Sequence, residues 1–125
     1  MSVGAVKGIE FGDGFASADS RGSQNNDCMR AEDGNPVFLS NHSGGILGGI
    51  SNGNTIVFRA AVKPVPSIFK SQRTVRRTGG EYLDANLEIK GRHDVCLCPR
   101  IVPVIEAMAN LVLADMLLRS RCARA

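Results

Sequence analysis

Tryptophan is absent from this chain of 125 residues, tyrosine occurs once and phenylalanine five times. Single-stranded nucleic acid is usually gripped by aromatic platforms set beside basic charge. That scarcity argues against a nucleic-acid partner, although 15 Lys and Arg stand against 12 Asp and Glu. So mild a positive excess suits anionic small molecules equally well. No uncharged run approaches the roughly 18 apolar residues of a membrane-crossing helix, so no membrane partner is expected. The opening MSVGAVKGIEFGDG lacks a basic region followed by an apolar core, so no signal peptide is expected. A cytoplasmic location is then the default, with Cys28, Cys96, Cys98 and Cys122 as free thiols. Internal repeats and low-complexity tracts are also missing.

What remains is enough for one domain over 1–125 with one modest core. Residues 3–11, VGAVKGIEF, alternate loosely and predict a strand with one buried face. The stretch 17–54 is rich in Ser, Asn, Asp and Gly and reads mostly as loop, with 17–40 expected to be mobile. Residues 55–63, TIVFRAAVK, alternate most clearly: Ile56, Phe58, Ala60 and Val62 share one face. Two prolines in KPVPSIF stop a central strand there, because proline donates no ladder hydrogen bond. Segments 72–78 and 81–90 flank Gly79–Gly80, a hairpin signal. The last element is a helix with Pro103 in its first turn. Its polar pairs, Glu106 with Asn110 and Asp115 with Arg119, lie on opposed sides, so two apolar flanks demand cover. Arg119, Arg121 and Arg124 complement the negative end of its dipole. Together these elements predict an α+β class, an antiparallel sheet packed against helices.

Three segments carry candidate chemistry. SGGILGGISNGN, residues 43–54, brings five glycines; it is neither G-x-G-x-x-G nor a P-loop, and serves either tight turns or a ligand cradle. Lys63 ends a strand just before the stiff Pro64–Val65–Pro66 loop, which suits a fixed point charge for phosphate, or merely a solvated strand end. In GRHD, residues 91–94, Arg92 can grip an anion bidentately and Asp94 can act as a base; a polar turn before a helix is the plainer reading. His93, Cys96 and Cys98 spell H-x-x-C-x-C, but the paired ligand turns of a zinc site are absent. No metal is assigned, and buried thiols are expected.

The order of these pieces says more than any one of them. AVKGIEFGDGF, RGSQNND, SNHSGGILGGISNG, KPVPSI and GRHDVC followed by VPVIEAMANLVLAD run in the order and spacing of the C-terminal part of chorismate synthase. The chain resembles that family over essentially its whole length. The resemblance implies conversion of 5-enolpyruvylshikimate-3-phosphate to chorismate and phosphate, an anti-1,4-elimination that requires reduced FMN. It also implies half of a β-α-β sandwich in a homotetrameric enzyme. It assigns flavin contacts to Gly4, Ala5, Gly48 and the run Lys63, Pro64, Val65, Pro66 and Ser67. Arg92 is implied to touch both flavin and substrate, and Asp94 to act as a base near flavin N5.

Some positions depart from the family pattern. Val95 stands where Pro is usual, and Cys98 and Phe69 where Gly is usual. The larger departure is that the family's two catalytic histidines and its arginine-rich substrate clamp have no counterpart here, since His42 and His93 match neither motif. The expectation is therefore a chain that begins mid-protein, inactive alone and completed by an N-terminal partner segment. The alternatives are a non-catalytic assembly remnant or a generic phosphate-ligand module.

Overall fold

The computed structural model describes residues 1–123; Arg124, expected at the helix dipole, lies outside them. All strand pairs are antiparallel and the class is α+β. The chain divides into two compact units, Met1–Val62 and a second that begins at Lys63.

In the first unit, β1 (Val6–Phe11) pairs with β6 (Phe58–Val62), so the chain's beginning closes on a segment about fifty residues later. Along β6 the side chains alternate as the sequence predicts, with Phe58, Ala60 and Val62 half-buried and Arg59 and Ala61 exposed. Phe11 and Phe58 stack across the pair with centroids 5.9 Å apart. The register slips between Val6 and Gly8, leaving Lys7 as a bulge.

The stretch 17–40, expected as loop, is more structured than its composition suggests. A 3-10 helix (Gly14–Asp19) and the short α1 (Gly22–Asn25) lead into β2 (Met29–Glu32) and β3 (Asn35–Phe38), a two-stranded hairpin. Its turn is Asp33–Gly34, with φ of 50° and 79°. Positive φ at both central positions is the type I′ geometry that matches strand twist. The same device recurs at Gly48–Gly49 (φ 59° and 80°), between β4 (Ile46–Leu47) and β5 (Ile50–Ser51).

In the second unit, residues 63–71 form no strand, as the prolines dictate. The hairpin β7 (Gln72–Thr78) and β8 (Glu81–Leu87) turns at Gly79–Gly80, φ 60° and 95°. Arg77 lies 5.9 Å from the Tyr82 ring centroid on the opposite strand. Helix α2 runs Cys98–Cys122 and starts five residues before the position expected. Pro99 takes the first-turn place, where a missing N–H costs nothing. Pro103 instead falls inside the helix and leaves the Pro99 carbonyl without its i+4 donor. The Asp115–Arg119 pair forms as an i,i+4 bridge of 2.9 Å. Only Ile101 of this helix is buried, with Ile105 and Ala109 half-buried below it. Leu111, Val112, Leu113, Met116, Leu117 and Leu118 are exposed. By length and composition alone, α2 is apolar enough to cross a membrane, although charged residues interrupt it.

Candidate functional site

The sequence-assigned residues divide between the units. Gly4, Ala5 and Gly48 belong to the first, and Lys63–Ser67, Arg92 and Asp94 to the second.

Gly4 and Ala5 are the central residues of a turn closed by the Val6 N–H donating to the Val3 carbonyl at 3.3 Å. Ala5 has φ 67°, the left-handed region that a residue with a Cβ rarely occupies. Such strain costs on the order of 1 kcal/mol and is retained where the surroundings demand it, often at ligand sites. Gly48 sits at the tip of the β4–β5 hairpin. A Cβ built on Gly48 or Gly49 meets nothing within 4 Å, so this backbone is open to an approaching ligand.

The neighbouring glycines have another role. A Cβ on Gly12 would fall 1.9 Å from the His42 carbonyl oxygen, and one on Gly44 would fall 2.3 Å from the Gly12 nitrogen. Backbone hydrogen bonds close the same junction: Gly12 N to Val57 O at 3.0 Å, Asp13 N to His42 O at 2.9 Å, Val57 N to Gly44 O at 3.1 Å. Three chain segments therefore meet backbone to backbone at Gly44, while Gly48 and Gly49 of the same strip form a tight turn.

Asp27 was missed by sequence reasoning, although it ends the RGSQNND motif. Its Oδ1 accepts from Ser40 Oγ and the His42 amide, both at 2.7 Å. Its Oδ2 accepts from the Ser43 amide at 3.0 Å and Ser43 Oγ at 2.8 Å. Partial burial pushes this carboxyl up, but the bonds from Ser40, Ser43 and His42 outweigh it and hold it far below the usual carboxylate range. Asn41 extends the clamp, donating Nδ2 to Thr55 O at 2.8 Å and accepting Gly45 N–H on Oδ1 at 2.7 Å. His42 Nδ1 and Asp13 Oδ2 lie 2.6 Å apart. The signal that finds this cluster is the density of Asn, Asp and Ser side chains able to bond local backbone.

Glu10 receives Phe15 N–H at 3.1 Å and Arg59 Nε–H at 2.8 Å. The Phe15 amide first, then Arg59, keep the Glu10 carboxyl below its ordinary value. This pair edges a shallow recess of about 250 Å³ lined by Gly8, Ile9, Glu10, Phe15, Arg59, Ala60 and Ala61. None of the assigned residues lines it, so the recess is not the candidate site.

In the second unit Lys63, Arg92 and Asp94 are exposed, while Val65, Ser67 and His93 are half-buried. The His93 ring packs edge-on against Phe69, centroids 3.8 Å apart, and neither ring nitrogen has a hydrogen-bond partner among the described residues. No group of three or more His, Cys, Asp or Glu among the described residues is arranged to hold a metal. The four cysteines are free, and all are exposed; Cys96 and Cys98 were expected to be buried, but no packed layer covers the start of α2 around them.

Whether these residues suit a flavin can be tested on two features. The open Gly48–Gly49 backbone is one. The other is a pair of buried donors, Asn52 Nδ2 and Asn54 Nδ2, with no acceptor among the described residues. Unmet donors beside an open glycine turn fit a ligand rich in carbonyl and phosphate oxygens.

An antiparallel α+β chain with glycine-tipped hairpins is the class that the described residues define. The family model described as chorismate synthase matches residues 1–118, and the chain belongs to that family. Chorismate synthase of Archaeoglobus fulgidus is 57% identical over 118 residues, covering 94% of this chain and 32% of the relative. That of Rhodopseudomonas palustris is 58% identical over 121 residues, covering 97% and 33%. A crystal structure of chorismate synthase superposes with a TM-score of 0.51 at 46% identity, over 54% of this chain and 20% of the other. The chain thus spans about a third of the length of the relatives it matches.

Proposed function

We propose that this chain contributes the C-terminal, flavin-facing part of a site that converts 5-enolpyruvylshikimate-3-phosphate to chorismate and phosphate. The observation that carries this reading is the family match over residues 1–118, which takes in every assigned position, together with 57% identity to a relative over 118 residues. Reduced FMN, when bound, would supply electron density to the cationic character that develops as allylic phosphate leaves. Gly4, Ala5, Gly48 and the run Lys63–Ser67 would hold and orient it. Pro64 and Pro66 keep that run stiff, which lowers the ordering cost of binding. Arg92 binds an anionic group of the substrate, and Asp94 carries the proton released from the substrate carbon. Chorismate chemistry of this kind belongs in the cytoplasm, with neither nucleic acid nor membrane involved. In this reading α2 is a packing helix, since the family match extends through most of it. The active form is a homo-oligomer that includes the remaining two thirds of a family polypeptide.

The experiment is complementation. The chain is mixed with a separately produced N-terminal portion of a family member, FMN, a reductant and the substrate, and chorismate is followed. Product from the mixture and none from either piece is expected. A well-folded mixture without product counts against the proposal. In the active mixture Asp94→Asn is expected to lower turnover by about 100-fold or more with flavin affinity retained.

A further inference from the structure

Lys63–Ser67 and Arg92–Asp94 flank the β7–β8 hairpin in sequence, and neither segment belongs to a helix or strand. Among the described residues, no backbone hydrogen bond ties 63–71 or 88–96 down outside the hairpin. The two segments leave the hairpin side by side at its open end, where Gln72 pairs with Leu87. They meet again where the Phe69 and His93 rings touch, with centroids 3.8 Å apart and planes inclined by 63°. Both ring nitrogens of His93 are buried without a partner among the described residues. The imidazole therefore contributes packing here and not hydrogen bonding. Burial alternates along its segment, with His93 turned in and Arg92 and Asp94 exposed. Residues two apart in an extended stretch share a side, so holding the ring holds the side on which the guanidinium and the carboxylate stand.

We propose that Phe69 and His93 form a clasp across the open end of the hairpin, and that His93 is a positioning residue. It sets Arg92 and Asp94 at a fixed spacing from the Lys63–Ser67 run. The clasp rests on the ring geometry; its use in catalysis rests on the flavin reading above. Two loops that grip one ligand from different sides lose rate steeply when their spacing drifts, since a misplacement of about 1 Å can cost on the order of 100-fold. Without the clasp the ligand itself would have to order both loops, which weakens its binding.

A double-mutant cycle on the chain tests the clasp. Phe69→Ala, His93→Ala and the double variant are digested with trypsin. Cleavage after Lys90 and Arg92 is timed against cleavage after Arg30 in the first unit. Each single change should speed the first two cuts about tenfold and leave the third unaltered. The double variant should be cut no faster than either single one, because both changes open the same contact. His93→Phe keeps a ring and discards both nitrogens, so it should be cut at the rate of the unaltered chain. Additive effects would overturn the clasp, and so would His93→Phe behaving as His93→Ala. In the mixture that forms chorismate, Phe69→Ala is expected to lower kcat about tenfold or more while KM moves less, and His93→Phe to retain kcat. An unchanged kcat in Phe69→Ala would overturn the positioning role. A mixture that forms no chorismate would sink the flavin reading, and the catalytic use of the clasp with it, while the digestion results stand or fall by themselves.

Discussion

At the scale of single residues, this chain depends on a few side chains and on side chains that are absent. Asp27 holds four donors from residues 40–43. Its carboxyl is lowered in the folded state, so its stabilising effect is present above the unfolded carboxylate value near 4 and is lost as pH falls toward the folded value. Asp27→Asn, which turns one acceptor oxygen into a donor facing donors, is expected to lose about 1–2 kcal/mol near neutral pH. It should also flatten the decline of stability between about pH 5 and about pH 2, as read by denaturant melts at several pH values. The glycines separate in the same way. Gly44→Ala forces a Cβ against the Gly12 and Val57 backbones and is expected to cost several kcal/mol, enough to unfold its unit. Gly49→Ala meets open space and carries only the strain of φ 80°, about 1 kcal/mol. Thermal melts of the two variants, compared side by side, check the contrast.

At the scale of elements, what the sequence made legible tracks how local the cause is. β7 and β8 were readable because Gly79–Gly80 and seven-residue flanks suffice for a hairpin. β6 was readable from alternation. The Asp33–Gly34 hairpin was missed although Asp-Gly is a strong turn signal, because its strands, MRAE and NPVF, are short and polar and look like the loop around them. The helix was found, but its start was misplaced because two prolines compete for the first turn and only backbone geometry selects Pro99. The cost falls on Pro103, the sixth helical residue. Pro103→Ala restores the donor to the Pro99 carbonyl and is expected to stabilise the helix by up to about 3 kcal/mol. A rise in helical signal by far-UV circular dichroism, with delayed helix melting, is the check; unchanged helicity would show that the missing donor at Pro103 does not limit the helix.

At the scale of the molecule, the surface is too large for what the chain buries. The accessible area is 10331 Å², and Val6 and Ile101 are the buried apolar side chains among the described residues. Two separate compact proteins of half this mass would together expose only about 7,800 Å². The excess, roughly 2,500 Å², is the size of a permanent interface. It includes the uncovered flanks of α2, and it agrees with a chain that spans a third of its relatives. The isolated chain is expected to bind a hydrophobic dye such as ANS strongly. Adding the remaining part of a family polypeptide should abolish most of that signal and raise the melting temperature by several degrees. Dye binding unchanged on mixing would show that the exposed flanks are not where the two parts meet.

The sequence alone determined the Gly79–Gly80 hairpin, the long C-terminal helix and the family, because each rests on turn chemistry, periodicity or ordered motifs that survive without neighbours. The tertiary structure alone decided that Gly12 and Gly44 are contact glycines while Gly48 and Gly49 are open ones. It likewise made Asp27 the clamp of the 40–43 segment. Those outcomes depend on which backbone atoms and side chains come within about 3 Å of one another across the fold, and spacing along a chain does not encode that distance.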